Sequence, residues 1–172
     1  MSDLKRTAYH EAGHAIAATE LDVQFDVISI AGDEGRAGTV GVEGDDGFFV
    51  RPGTDPLSPD NERAYRAWAD QQAVIDYAGH AAVVALLGAG DMGDESAAAY
   101  GAGDDFEKAR ARMGGDPRRI AEAKARSTEI ITRRGDAVRK IADALITHTR
   151  LDAEQVDCVL VWGTPQRPWV VK

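Results

Sequence analysis

Residues 7–17 read TAYHEAGHAIA, with His10, Glu11 and His14 forming an HExxH pattern. The segment around it, residues 3–21, predicts a helix. Ser2 or Asp3 can cap it, and Leu4, Ala8, Ala12, Ala15 and Ile16 fall along one stripe. Histidines four apart on a helix stand about 40° apart on one face, one turn along. Two imidazoles so placed can bind one zinc ion at about 2.0–2.1 Å. Glu11 lies at the edge of that face, where its carboxylate can reach a water on the same metal and take its proton. The same ion can polarise a peptide carbonyl and stabilise the oxyanion that forms from it. The helix is also small-sided: Ala8, Ala12, Gly13, Ala15, Ala17 and Ala18 leave room for a second backbone to approach.

The pattern also fits a hydrogen-bonded pair of core histidines, and catalytic zinc needs a third protein ligand plus an open position. Four residues are candidates. His80 follows Gly79 in the middle of a long predicted helix. His148 closes a polar helix, where a solvated last-turn role is ordinary. Asp104 and Asp105 begin a helix beside a Gly-rich loop. Spacing alone does not choose among them.

Moving outward, residues 23–30 carry Val23, Val27, Ile28 and Ile30 and predict a strand. Residues 38–43 (GTVGVE) predict a second strand and residues 48–50 a third. Three prolines mark residues 51–59 as a loop. Ser58 and Pro59 suit the N-cap and first position of a long helix to about Leu87. Residues 88–103 are small, acidic and Gly-rich, and predict an irregular segment. A short helix follows over 104–113. A long one, capped by Asp116 with Pro117 at its first position, runs to about His148 and can kink at Gly135. A last helix spans 152–161, with Asp152 and Gln155 spaced as a capping box.

Composition limits the partners. The 172 residues carry 20 Lys and Arg against 29 Asp and Glu, a formal net charge of −9. That balance argues against a general nucleic-acid binder, which needs basic surface to replace phosphate counterions, and against a helix resting on anionic lipid. No apolar run is long enough for a bilayer span, and residues 1–6 (MSDLKR) show no secretory pattern, so a cytoplasmic protein is expected. The single cysteine, Cys158, cannot form an internal disulfide and reads as a buried structural thiol.

Four blocks resemble the peptidase domain of the FtsH family, membrane-bound ATP-dependent zinc proteases. They are TAYHEAGHAIA at 7–17, VISIAGDEGRAGTV at 27–40, YAGHAAVVALLG at 77–88 and GAGDDFEKARARM at 101–113. A weaker echo covers 141–160. The first block is similar to the family's metal-binding helix, and the fourth to its GASNDLxxAxxxAxxM segment. The resemblance implies that Asp105, at the Asp of the family's NDL triplet, is the third ligand beside His10 and His14, with Asp104 left to cap the helix. It implies Glu11 as general base, one zinc ion, and a polypeptide substrate laid along the strand at 38–43. The expected fold is α+β and mainly helical: a zincin-like HExxH helix, a small N-terminal sheet and a C-terminal helical bundle, with residues 1–162 as the domain and 163–172 as a tail.

The chain departs from the family pattern. It contains no GxxxxGK[ST] phosphate loop and no membrane span, and His80, Val83 and Val84 replace an Arg and paired acids. The reading is therefore an ATP-independent metalloendopeptidase acting on peptides or unfolded segments, with homo-oligomer formation possible but not required. A second reading is a catalytically weak binding or regulatory module on the same fold, with the stretch 162–172, which carries Trp162, Trp169, Val170 and Val171, docking a partner. A third is a different short HExxH family, whose third ligand stands much closer to the motif.

Overall fold

The structure, a computed structural model, describes residues 2–31, 39–41 and 59–165. Helix α1 spans Asp3–Glu20 and is capped by Ser2, whose side chain accepts from the Lys5 amide. Strands β1 (Val27–Ser29) and β2 (Thr39–Gly41) follow. Then come α2 (Pro59–Leu87), α3 (Asp94–Ala99), α4 (Gly103–Arg112), α5 (Pro117–Arg133) and α6 (Gly135–His148). Strand β3 (Arg150–Asp152) and helix α7 (Ala153–Trp162) close the described part. The fold is α+β and mainly helical, as expected. The expected strand at 48–50, the Ser58 cap and all but the first residues of the 163–172 tail lie outside the described residues. Among the described residues no helix is long and apolar enough to cross a membrane.

Three features differ from the sequence reading. First, the sheet is not N-terminal alone. Its order is β2-β1-β3, antiparallel throughout, so a C-terminal strand pairs with β1. Ile28 stands opposite both Val40 and Leu151. Thr149 turns the chain through a left-handed conformation (φ 62°) at the end of α6, which swings Leu151 beside β1 and leaves it fully buried.

Second, the long helix over 116–148, expected to kink at Gly135, is instead two helices, broken at Arg134, which ends α5 and begins α6. The break lets consecutive segments address different neighbours, since α5 packs on α2 while α6 packs on α1. Arg133 and Arg134 both pair with Glu20 at the end of α1, at 2.6 and 3.1 Å. Third, the Gly-rich acidic stretch contains α3. Its three alanines favour helix, Asp94 and Glu95 complement the helix N-terminus, and Asp91 secures the entry by accepting from the Gly93 amide at 2.7 Å.

The last helix matches its predicted signature. Asp152 and Gln155 form the reciprocal capping box, and Gly163 (φ 74°) ends the helix in the left-handed region that glycine tolerates best. The core runs between α1, α2, α5 and α6 and under the sheet. Ile16, Ile28, Tyr77, Ile131, Ile141, Leu145 and Leu151 are among its fully buried members. Burying each such side chain favours folding by about 1.5–3 kcal/mol. Cys158 is buried on α7, as expected for a structural thiol.

Candidate metal centre

The site begins with the contact between α1 and α2. A Cβ on Gly13 would lie 2.5 Å from the Ala78 carbonyl oxygen, and one on Gly79 would lie 2.5 Å from Nε2 of His14 and 2.8 Å from Cε1 of His10. The two glycines therefore let the helices approach closely. Ala12, Ala15, Ala78 and Ala82 line the crossing without exposed surface. At this separation the Nδ1–H of His14 donates to the Ile75 carbonyl at 2.7 Å. A carbonyl has two lone pairs, so Ile75 can hold both a helix bond and this one. The bond fixes the His14 ring and turns its Nε2 toward His10.

Helix α4 brings in the third group. Asp105 lies in its first turn, and its Oδ2 stands 3.0 Å from Nε2 of His10 and 3.4 Å from Nε2 of His14. The two Nε2 atoms are 2.9 Å apart. Among the described residues His10, His14 and Asp105 form the one cluster of this kind. The expected helix start needs correction: the N-cap is Ala102, with no side-chain cap bond, and Asp104 is an exposed first-turn residue. The Ala102 amide instead bonds back to the Ala97 carbonyl at 2.8 Å, so the turn after α3 sets the start of α4. Of the other candidate ligands, His148 is exposed at the end of α6. His80 is buried and bonded elsewhere, its Nε2 lying 2.7 Å from the Asp91 carbonyl oxygen.

The donor set suits a cation better than it suits itself. A ring nitrogen carries either a hydrogen or a lone pair, never both. If both Nε2 atoms carry hydrogens for Asp105, those hydrogens face each other along the His10–His14 edge. If one does not, an edge with Asp105 sets lone pair against carboxylate. A divalent cation would be held by all three atoms as ligands, with no such conflict. Tetrahedral zinc with bonds near 2.0–2.1 Å holds its ligands about 3.3 Å apart, close to the separations here.

Electrostatics agree with a site that holds positive charge. Burial disfavours the His14 cation, but the hydrogen bond and charge of Asp105 outweigh it and push His14 up to about 9. Burial and the neighbouring His14 charge hold His10 below its ordinary value. Burial alone would raise the Asp105 carboxyl, yet the two imidazoles hold it well below the usual carboxylate range. Glu11 is buried, and burial pushes its carboxyl up to about 7 against the opposing pull of His14. The side chains of His10, His14 and Asp105 remain 12%, 9% and 20% exposed, so the cluster still meets solvent on one side.

No protein-family model matches the chain, and no curated protein matches it.

Two contributors escaped the sequence reading. Gly79 has no side chain to announce it in the sequence, although its bare Cα makes room for both imidazoles. Ile75 contributes through its backbone, which no side-chain pattern can announce.

Proposed function

We propose that the chain is a zinc-dependent metalloendopeptidase on a zincin-like fold, hydrolysing peptide bonds in peptides or unfolded segments. The observation that carries the reading is the convergence of His10 Nε2, His14 Nε2 and Asp105 Oδ2 within 3.4 Å of one another, with the buried Glu11 beside the first of them. His10, His14 and Asp105 are the residues that would hold the ion. When bound, zinc supplies a Lewis acid that lowers the pKa of water to about 7 and polarises a carbonyl.

The remaining work falls to the chain. Glu11 takes a proton from the attacking water and returns it to the leaving amine. A buried carboxyl next in sequence to His10 can serve both halves of that task, as base and then as acid. The Ile75 carbonyl keeps His14 oriented with Nδ1 protonated. Strand β2, an edge of the sheet among the described residues, packs against α1 and can take an extended polypeptide through its backbone groups. Hydrolysis of this kind consumes no nucleotide.

The test is cleavage of an unfolded protein such as casein by the zinc-loaded chain. Activity should vanish with a chelator, return with zinc, and be absent in Glu11→Gln. Zinc-loaded protein that leaves every unfolded substrate intact would overturn the enzyme reading in favour of a binding module.

A further inference from the structure

His80 is fully buried on α2, next to the glycine that accommodates the two candidate ligand imidazoles. Its Nε2–H donates to the Asp91 carbonyl, 2.7 Å away in the segment before α3. The same ring meets Phe106 edge to face, with centroids 5.4 Å apart and planes at 88°, and lies 6.3 Å from the Tyr100 ring. Phe106 is the residue after Asp105. It is itself buried and stacks edge to face on Tyr77 at 4.7 Å. From α5, Lys124 grips the same region, donating to the Met92 carbonyl at 2.8 Å with its ammonium 4.5 Å from the Phe106 centroid. One imidazole thus touches both the segment leading into α3 and the side chain that seats the first turn of α4.

Packing alone does not account for histidine here. Its Nδ1 has no hydrogen-bond partner among the described residues, and a buried unpaired nitrogen carries a desolvation cost that a phenylalanine ring would not. What phenylalanine could not supply is the donor to Asp91. We propose that His80 is a positioning residue for the third metal ligand: its ring seats Phe106 and its Nε2–H clasps the Asp91 carbonyl, so that α4 presents Asp105 to His10 and His14. This inference rests on the zinc reading above.

The test compares zinc affinity of the whole chain with that of His80→Phe, which keeps the ring and removes the donor, and His80→Gln, which restores a donor at similar reach. Zinc alone is the probe, titrated against a chromophoric chelator, with far-UV circular dichroism reporting the fold. The expected result is a loss of about tenfold or more in His80→Phe, affinity within about threefold of the parent in His80→Gln, and faster amide hydrogen exchange at residues 106–109, the first bonded amides of α4, in His80→Phe with α6 unchanged. His80→Phe binding zinc as tightly as the parent, or His80→Gln falling equally far, overturns the proposal. If His80→Phe does not fold, His80→Asn replaces it. Its shorter amide should bind more weakly than His80→Gln, and equal affinities would overturn the idea. A parent chain that binds no zinc refutes the metal reading itself, a separate outcome.

Discussion

Asp105 sets its Oδ2 3.0 Å from Nε2 of His10, a residue 95 positions earlier in the chain. The separation depends on α2, which carries Gly79 against the imidazoles and Tyr77 against Phe106. The candidate centre is therefore assembled by one helix crossing and one helix start.

Gly79→Ala tests the crossing. Alanine favours helix over glycine by about 1 kcal/mol and overpacking costs about 1–3 kcal/mol, so the net loss of stability should be about 0–2 kcal/mol. The added methyl would press on both imidazoles. Zinc affinity, measured by chelator competition, should fall at least tenfold while the thermal midpoint moves by only a few degrees. Unchanged affinity would show that the imidazoles do not need this space.

Glu11→Gln separates chemistry from binding. Zinc stoichiometry should be retained while peptidase activity falls by about 10²–10⁴. In the metal-free protein the substitution should also stabilise. The folded carboxyl is raised to about 7, so its charged form is disfavoured, and parental stability declines as pH rises from 4.5 through 7. Glutamine removes that decline. Denaturant unfolding should show the variant ahead at pH 8 by on the order of 3 kcal/mol and the two converging near pH 4.5.

Metal uptake should release a proton. At pH 7 metal-free His14, raised to about 9, is protonated and must lose its Nε2 hydrogen to act as a ligand. Apparent zinc affinity should climb with pH until about 9. Calorimetry in buffers of different ionisation enthalpy should register about one proton per zinc near pH 7.5. Buffer-independent heats would argue against a protonated resting site.

How much of this could be read from residue order alone varies by element. α1 was readable because its apolar spacing and the i, i+4 histidines are local, and α7 because a capping box lies within four residues. Asp105 is one of four candidates by residue type, and only the resemblance selects it, since nothing within one helix ties it to His10. β3 was missed because three residues between two helices show no alternation, and Leu151 becomes a strand residue only by lying opposite Ile28. The break at Arg134 falls beside Gly135, where the sequence marks a kink, but no proline turns that kink into a full stop. The full break reflects the different partners of α5 and α6, which is tertiary information.

Arg112 and Asp76 form a largely buried ion pair between α4 and α2, one residue from the Ile75 carbonyl that orients His14. Burial pushes the Asp76 carboxyl up to about 6 even against the pull of Arg112. Arg112→Met strands that carboxylate and should destabilise by about 3 kcal/mol at pH 8. The raised carboxyl protonates as pH falls below 6, and a neutral acid no longer needs the guanidinium. The penalty should therefore shrink by pH 5. Unfolding curves at the two pH values provide the check, and an equal penalty at both would show that Asp76 is not the stranded group.

The metal centre itself can be located by anomalous diffraction at the zinc edge from crystals of the zinc-loaded chain. The expected map has one strong peak about 2.0–2.2 Å from His10 Nε2, His14 Nε2 and an Asp105 carboxylate oxygen. A peak bound by other side chains, or no peak at that cluster in fully loaded protein, would contradict the assignment.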